Sequence, residues 1–219
     1  MSDFILISHD RSPLRDMLPL RKPLSLFIEP TNVCNFRCTP CVHGSENTRN
    51  DLKPLRHMEM ALYGKLIREL QEWSGARLKL LRLAMLGEPF ANPDFCSMVR
   101  IAKDANVAER VDTFSNGSLL TEEVSARIID SGLDLIRVSI YAADDEHHRE
   151  VTKTKVSVAT ICGNIKRLRE MRDASGKAAP HISVKMFDTY SDENDSQEIE
   201  HHYVGRLKSL FNQLAEECG

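Results

Sequence analysis

Residues 31–43 read TNVCNFRCTPCVH and place three cysteines within eight residues. They follow a short apolar run at residues 24–28, so we expect the cysteines on a loop that begins where a buried strand ends. Thiolates are soft ligands that suit zinc and iron–sulfur clusters. The stretch therefore predicts a metal site formed by Cys34, Cys38 and Cys41.

The number and spacing of these cysteines separate two kinds of metal site. Structural zinc sites commonly use two cysteine pairs, or a cysteine pair with a histidine pair, and His43 is the only nearby candidate for a fourth zinc ligand. Ferredoxins hold each iron of a [4Fe–4S] cluster with one cysteine thiolate. A site with three cysteines would leave one iron open, and an open metal position is where chemistry occurs. We favour the cluster and keep zinc as the alternative.

The length and charge of the chain limit its class. Its 219 residues suffice for one α/β domain or two small ones. The net charge of −3 gives no broad basic surface for nucleic acid, although a local patch could still bind RNA. No apolar run could span a bilayer, and no secretion signal precedes residue 23. We therefore expect a cytoplasmic protein with no membrane or nucleic-acid partner, and we read Cys96, Cys162 and Cys218 as buried or idle thiols.

Apolar runs alternate with helical periodicities along the chain. Strands are predicted at residues 24–28, 78–86, 110–114, 133–141 and 182–187, and helices at about 58–73, 92–105, 121–131, 157–175 and 203–214. Residues 42–57 are predicted to be a long loop, Asn92 is predicted to cap the second helix, and a short helix is expected from about Asp144. This order requires a parallel sheet with right-handed crossovers. We expect an irregular arm at residues 1–22 and one core domain at residues 23–219.

Polar or otherwise special residues follow four of the predicted strands. These are the cysteine loop after the first strand, Gly87-Glu88-Pro89 after the second, Ser115-Asn116-Gly117 after the third, and Ser139 near the end of the fourth. Parallel sheets bind ligands beyond the carboxyl ends of their strands. We therefore expect these residues to form one site.

The spacing Cys34-x3-Cys38-x2-Cys41, together with Gly87-Glu88-Pro89 after the next strand, resembles the radical S-adenosylmethionine (radical SAM) superfamily. The resemblance covers about residues 24–190 and is closest to the branch that carries a cysteine-rich C-terminal SPASM domain, which this sequence lacks. It implies a partial (β/α) barrel with about five parallel strand–helix units where the family has about six. The C-terminal part of the core is therefore expected to be incomplete and to be completed by a missing region or by a partner.

The resemblance also implies the cofactors and their contacts. Cys34, Cys38 and Cys41 would hold a [4Fe–4S] cluster, and its open iron would chelate the amino and carboxylate groups of S-adenosylmethionine. The contacts implied for that cofactor are Gly87, Glu88 and Pro89 at the methionine amino group, and Ser115, Asn116 and Ser139 at the ribose or carboxylate. From the residues alone, Glu88 could be an exposed loop acid and Asn116-Gly117 an ordinary turn. Arg149 could neutralise the methionine carboxylate or be a solvated helix charge.

The family reaction implied is reductive cleavage of S-adenosylmethionine to a 5′-deoxyadenosyl radical, which abstracts hydrogen from a substrate. The substrate stays unidentified and could be a peptide, a sugar or another small molecule. An external flavodoxin- or ferredoxin-like donor would supply the electron, and no acid–base residue is expected. Two alternatives remain: a truncated iron–sulfur and S-adenosylmethionine-binding protein without turnover, and a zinc-stabilised interaction domain.

Overall fold

Five parallel strands lie side by side in the order in which they occur in the sequence. They are β1 Ser25–Ile28, β2 Leu80–Leu83, β3 Val111–Ser115, β4 Leu135–Ile140 and β5 His181–Met186. This computed structural model describes residues 13–186. Within them β1 and β5 are the two edges of the sheet and do not pair, so the barrel is open. The predicted α/β fold with five strands is confirmed, whereas the predicted helix at residues 203–214 lies outside the described residues.

Six helices connect or follow these strands within the described residues. They are α1 Glu46–Asp51, α2 Met60–Glu72, α3 Phe95–Asp104, α4 Glu122–Ser131, α5 Asp145–Thr152 and α6 Val158–Ala174. Helices α4 and α6 begin where predicted, each with a side-chain N-cap: Thr121 accepts a hydrogen bond from the Val124 amide and Ser157 accepts one from the Thr160 amide. Gly132 ends α4 in the left-handed conformation with φ of 80°, as expected of a helix C-terminus.

Three predicted boundaries are wrong. The loop at residues 42–57 contains α1, whose N-cap Ser45 accepts a hydrogen bond from the Thr48 amide. Asn92 does not cap α3, which begins at Phe95: its side-chain oxygen accepts a hydrogen bond from the Asp94 amide at 2.9 Å, before the first helical residue, and its side-chain NH2 group donates to the Pro30 carbonyl at 2.8 Å. Strand β2 ends at Leu83, earlier than predicted. The Leu86 amide, which the prediction placed in the strand, donates to the Glu29 carboxylate.

The two faces of the sheet differ in chemistry because successive residues of a strand point to opposite sides. Leu81, Leu83 and Val138 are fully buried under the helices. The helices also contact one another in the order α2, α3, α4 and α6. On the opposite, concave face, Phe27 is 48% exposed. The apolar core therefore lies between the sheet and the helices, and the concave face remains available for polar groups.

A buried ion pair links β2 to β3 on the concave face. Asp112 is fully buried and accepts two hydrogen bonds from the Arg82 guanidinium, both at 2.7 Å. Arg110 lies 3.7 Å from the same carboxylate. Such a two-point pair has fixed geometry, and its carboxylate compensates the charge of Arg82 away from water.

We predict that Asp112→Asn lowers the free energy of unfolding by about 3–5 kcal/mol, because it leaves the Arg82 charge without its buried counterion. The matched control is Glu109→Gln, which removes the exposed Lys79–Glu109 pair at 2.7 Å between neighbouring chain segments. This control should cost less than about 1 kcal/mol. Urea unfolding followed by circular dichroism measures both, and equal losses would contradict a structural role for the buried pair.

Candidate metal and cofactor site

One cavity of about 280 Å³ opens at the carboxyl ends of the strands, close to the lower end of the usual range for ligand pockets. The predicted site residues that line it are Cys34, Cys38, Cys41, Gly87, Glu88, Ser115, Asn116 and Ser139. Pro89 does not line it and is instead the buried first residue of a turn of 3-10 helix, Pro89–Ala91. Arg149 is exposed on α5 and does not line it either, which favours the interpretation of a solvated charge.

Backbone hydrogen bonds hold the cysteine loop in a fixed path. The Cys41 amide donates to the Cys38 carbonyl at 2.9 Å. On the other side of the loop, the amides of Arg37 and Thr39 donate to carbonyls in the last turn of α5 at 3.0 and 2.8 Å. Those carbonyls have no partner within their own helix, so the loop amides supply donors for the end of α5 while α5 supports the loop.

Two aromatic rings behind the loop fix it from the core side. Phe36 lies between two of the cysteines in the sequence and is 2% exposed. The ring of His148, on α5, meets it edge to face with a centroid distance of 6.1 Å. His148 is fully buried, and burial lowers its pKa, so the neutral imidazole behaves here as a packing group.

The three thiols are partly or fully buried and are electrostatic neighbours. Burial raises the pKa of Cys34 to about 11, and burial followed by the neighbouring thiols raises the pKa of Cys38 to about 12. The Tyr141 hydroxyl is hydrogen-bonded to Cys38 and also lines the cavity. Metal ligation replaces the thiol protons, so iron bound here would remove the cost of ionising these groups.

The arrangement of donors suits a cluster better than a single ion. Residues 13–186 contain no group of three or more His, Cys, Asp or Glu side chains placed to hold one metal ion. His43 is buried and does not line the cavity. Three thiolates that line one cavity could instead each hold a different iron of a cubane cluster. The zinc alternative therefore gains no support from the geometry.

The loop after β2 is tied to the end of β1 by Glu29. Its carboxylate accepts hydrogen bonds from the amides of Leu86 at 2.6 Å and Gly87 at 3.2 Å. These bonds take the chain out of the sheet and shorten β2. A Cβ atom on Gly87 would lie 2.1 Å from the Thr31 carbonyl oxygen, so only glycine allows this close approach.

Glu88 joins the loop after β2 to the loop after β3. Its carboxylate accepts hydrogen bonds from the Ser115 hydroxyl and the Asn116 amide, both at 2.8 Å, and it is 2% exposed. Its own amide donates to the Val33 carbonyl, next to the first cysteine, at 2.9 Å. Burial raises the pKa of Glu88 to about 7 despite these two donors to the carboxylate and a third, the Phe90 amide at 3.3 Å. Glu88 is therefore an organiser of the cavity wall and not an exposed loop acid.

Side-chain amides complete the link between the cysteine loop and the loop after β3. The Asn116 side chain donates to the Asn35 side chain at 2.9 Å, and Asn35 donates to the Ser118 hydroxyl at 2.8 Å. Asn116 in turn accepts from the Ser118 amide at 3.0 Å. The stretch Ser115-Asn116-Gly117 is thus more than an ordinary turn, because it fixes the position of the residue that follows Cys34.

Sequence reasoning missed several residues of the site, among them Glu29, Asn35, Tyr141 and His148. Glu29 could have been found as the only acid between the first strand and the cysteine loop. Asn35 stands inside the cysteine motif but carries no signal of its own. His148 was hidden in a polar run, because the rotation of α5 that turns it inward depends on packing against Phe36.

We predict that Glu88→Gln changes the pH dependence of stability. A proton binds Glu88 more tightly in the folded chain, where its pKa is about 7, than in the unfolded chain, where it is 4.5. The stabilisation from this proton is complete below about pH 4.5 and is lost as the pH rises through 7. The unfolding free energy of the wild type minus that of the variant should therefore fall by about 2–3 kcal/mol between pH 5 and 8, at about 1.4 kcal/mol per pKa unit.

Anaerobic urea unfolding of the cluster-free protein checks this difference. Burial lowers the pKa of both His43 and His148, so these two residues make the folded protein more stable as the pH rises, opposite to Glu88. Both histidines are present in the wild type and in the variant, so their contribution cancels in the difference. Gln71→Asn changes an exposed side chain on α2 that carries no titrating group, so it is the control and should give a difference that does not vary with pH. A constant difference for Glu88→Gln as well would contradict the raised pKa.

Comparison with known proteins agrees with this geometry. The model of the Radical SAM superfamily matches residues 28–178, which include every predicted site residue. The tungsten-containing aldehyde ferredoxin oxidoreductase cofactor-modifying protein of Pyrococcus furiosus is 28% identical over 162 residues, covering 74% of this chain and 42% of that protein. The probable GTP 3′,8-cyclase of Methanocaldococcus jannaschii is 27% identical over 133 residues, covering 61% and 41%. The chain thus spans about two fifths of the length of these relatives.

A solved structure shows the same fold. Streptococcus suis SuiB bound to S-adenosylmethionine superposes with a TM-score of 0.63 at 14% identity, covering 92% of this chain and 41% of that chain. The expected partial barrel is therefore confirmed. Members of the matched family bind a [4Fe–4S] cluster and S-adenosylmethionine, so the expected cofactors are confirmed at the level of the family. The cysteine loop, the open parallel barrel and the family match lead to one conclusion: this chain belongs to the radical SAM superfamily.

Proposed function

We propose that this chain is the core of a radical SAM enzyme that binds a [4Fe–4S] cluster through Cys34, Cys38 and Cys41. The observation that carries the proposal is that the three thiols share one cavity with Glu88 and Asn116 at the carboxyl edge of the sheet. Nothing in the local sequence requires these residues to meet, since they follow different strands. Their convergence supports a single site for the cluster and S-adenosylmethionine.

When bound, the reduced cluster and S-adenosylmethionine supply a 5′-deoxyadenosyl radical that takes a hydrogen atom from a substrate. The residues of the chain bind and orient these groups. Glu88 uses its carboxylate mainly for internal donors, and an ionised carboxyl has about four acceptor sites, which leaves capacity for an ammonium group. A positive charge placed there would lower the pKa of Glu88 and strengthen the contact.

Two other residues complete this arrangement. Ser139 lines the cavity with a hydroxyl that makes no hydrogen bond to another group within residues 13–186, so it can contact a ribose or a carboxylate. Gly87 keeps the backbone close to Thr31, which holds the loop of Glu88 against the cysteine loop. No acid–base side chain is assigned, because these residues hold the cofactor and do not transfer protons.

Partners and substrate are also part of the proposal. A flavodoxin- or ferredoxin-like donor would supply the electron, and the substrate would be a peptide, a sugar or another small molecule. The open edges of β1 and β5 leave room for a further region or a partner to complete the barrel. No helix within the described part of the chain combines the length and apolar character that crossing a membrane requires. The placement in the SPASM-associated branch and the division into residues 1–22 and 23–219 stay predictions.

We predict that the anaerobically reconstituted protein forms 5′-deoxyadenosine from S-adenosylmethionine when dithionite is added, as measured by liquid chromatography and mass spectrometry. Cys34→Ala should abolish both iron binding and product, because it removes one of the thiolates that line the cavity. Cys96→Ala removes a buried thiol on α3 and should retain both.

The outcomes separate the alternatives. A bound cluster without any 5′-deoxyadenosine would favour a binding protein that does not turn over. Zinc in place of iron would favour the interaction domain. If Cys34→Ala and Cys96→Ala bound the same amount of iron and formed the same amount of 5′-deoxyadenosine, the assignment of the cluster ligands would be contradicted.

A further inference from the structure

A row of alternating aromatic and guanidinium groups crosses the concave face of the sheet. It consists of Phe27 on β1, Arg82 on β2, Phe114 on β3 and Arg137 on β4. The guanidinium carbon of Arg82 lies 5.1 Å from the ring centroid of Phe27 and 4.0 Å from that of Phe114. The guanidinium carbon of Arg137 lies 5.1 Å from the centroid of the Phe114 ring. All three distances are within the range of cation–π contacts.

The two guanidinium groups differ in how their charge is compensated. Arg82 forms the two-point pair with Asp112 and is neutralised. Arg137 has no carboxylate within salt-bridge distance among residues 13–186. Its guanidinium instead makes a cation–π contact with the ring of Phe114. A guanidinium keeps its proton throughout the physiological range. Arg137 therefore presents a full positive charge in a position that an aromatic ring has already fixed.

Arg137 faces the cavity that contains the thiols. It precedes Ser139 by two residues on the same face of β4, and both line the cavity. Lys185 on β5 pairs in register with Ser139 and lines the cavity as well. The wall formed by β4 and β5 is therefore cationic, whereas the opposite wall carries the thiols and Glu88.

We propose that Arg137, held against Phe114, binds an anionic group of the substrate, either a carboxylate or a phosphate. The proposal rests on the proposed function, because it assigns the substrate class of the same cavity. The carboxylate of S-adenosylmethionine is the other anion of this cavity, so the test measures the affinity for S-adenosylmethionine beside that for the substrate anion. A planar guanidinium donates two parallel hydrogen bonds to either kind of anion, which gives geometry as well as charge.

The test uses the reconstituted protein with its cluster and S-adenosylmethionine bound. Isothermal titration calorimetry with pyrophosphate and, separately, with succinate measures binding at an ionic strength of about 0.05 M, where screening is moderate. Arg137→Gln should lower the affinity for the anion that binds by about tenfold or more, as expected for the loss of a charged hydrogen-bonded pair. Arg68→Gln makes the same change of charge on the exposed side of α2 and should leave the affinity unchanged.

The two ligands distinguish the sources of the anion. Arg137-dependent binding of pyrophosphate would assign a phosphorylated substrate, and Arg137-dependent binding of succinate a carboxylated one. Arg137→Lys keeps the charge and loses the two-point geometry, so an intermediate affinity supports the proposal even where Arg137→Gln fails to fold.

Three results would overturn the proposal. The first is that the wild type binds neither anion. The second is that Arg137→Gln and Arg68→Gln lower the affinity for the anion equally. The third is that Arg137→Gln lowers the affinity for S-adenosylmethionine as much as that for the anion. In the last case Arg137 belongs to the cofactor site. The 5′-deoxyadenosine assay on the wild type separates the two proposals. Product without anion binding rejects only the substrate class, and Arg137-dependent anion binding without product rejects only the radical chemistry.

Discussion

Two carboxylates hold three loops together at the carboxyl edge of the sheet, and the candidate site depends on them. Half-buried Glu29 accepts the amides of Leu86 and Gly87 and so connects the loop after β2 to β1. Buried Glu88 accepts hydrogen bonds from Ser115 and Asn116 in the loop after β3. Because the cysteine loop lies between these contacts, its thiols have a fixed relation to the remainder of the cavity. Removal of either carboxylate would leave buried amide groups without partners, which costs more than the lost bonds alone.

The division of the sheet into an apolar and a polar face explains how one fold provides both stability and a reactive site. The helices bury the apolar face and supply the core. The concave face can then carry guanidinium groups and a buried carboxylate, with the thiols on a loop at its carboxyl edge, without reducing that core. Polar groups on this face are paired, as Arg82 is with Asp112, or face the cavity, as Arg137 does. Charges that remain uncompensated inside a fold are costly, so those that face a cavity point to a ligand.

The sequence predicted the elements that depend on repeated patterns. Alternating strands and helices required a parallel sheet, and the rule for strand ends then placed the cysteine loop beside Glu88 and Asn116. Helix α1 was missed because six polar residues carry no apolar periodicity. Glu29 was missed because its partners are more than fifty residues away in the chain. Arg149, considered as a partner of the methionine carboxylate, does not line the cavity, whereas Arg137 does, because the alternation within β4 turns Arg137 to the concave face.

The central claim is that three thiolates hold a cubane whose fourth iron is open to S-adenosylmethionine. Electron paramagnetic resonance of the reduced, reconstituted protein before and after the addition of S-adenosylmethionine tests it most directly. The account predicts the signal of a reduced [4Fe–4S] cluster that changes when S-adenosylmethionine is added, because the ligand binds the open iron. A cluster signal that S-adenosylmethionine leaves unchanged, or a protein that takes up zinc and no iron, would contradict it.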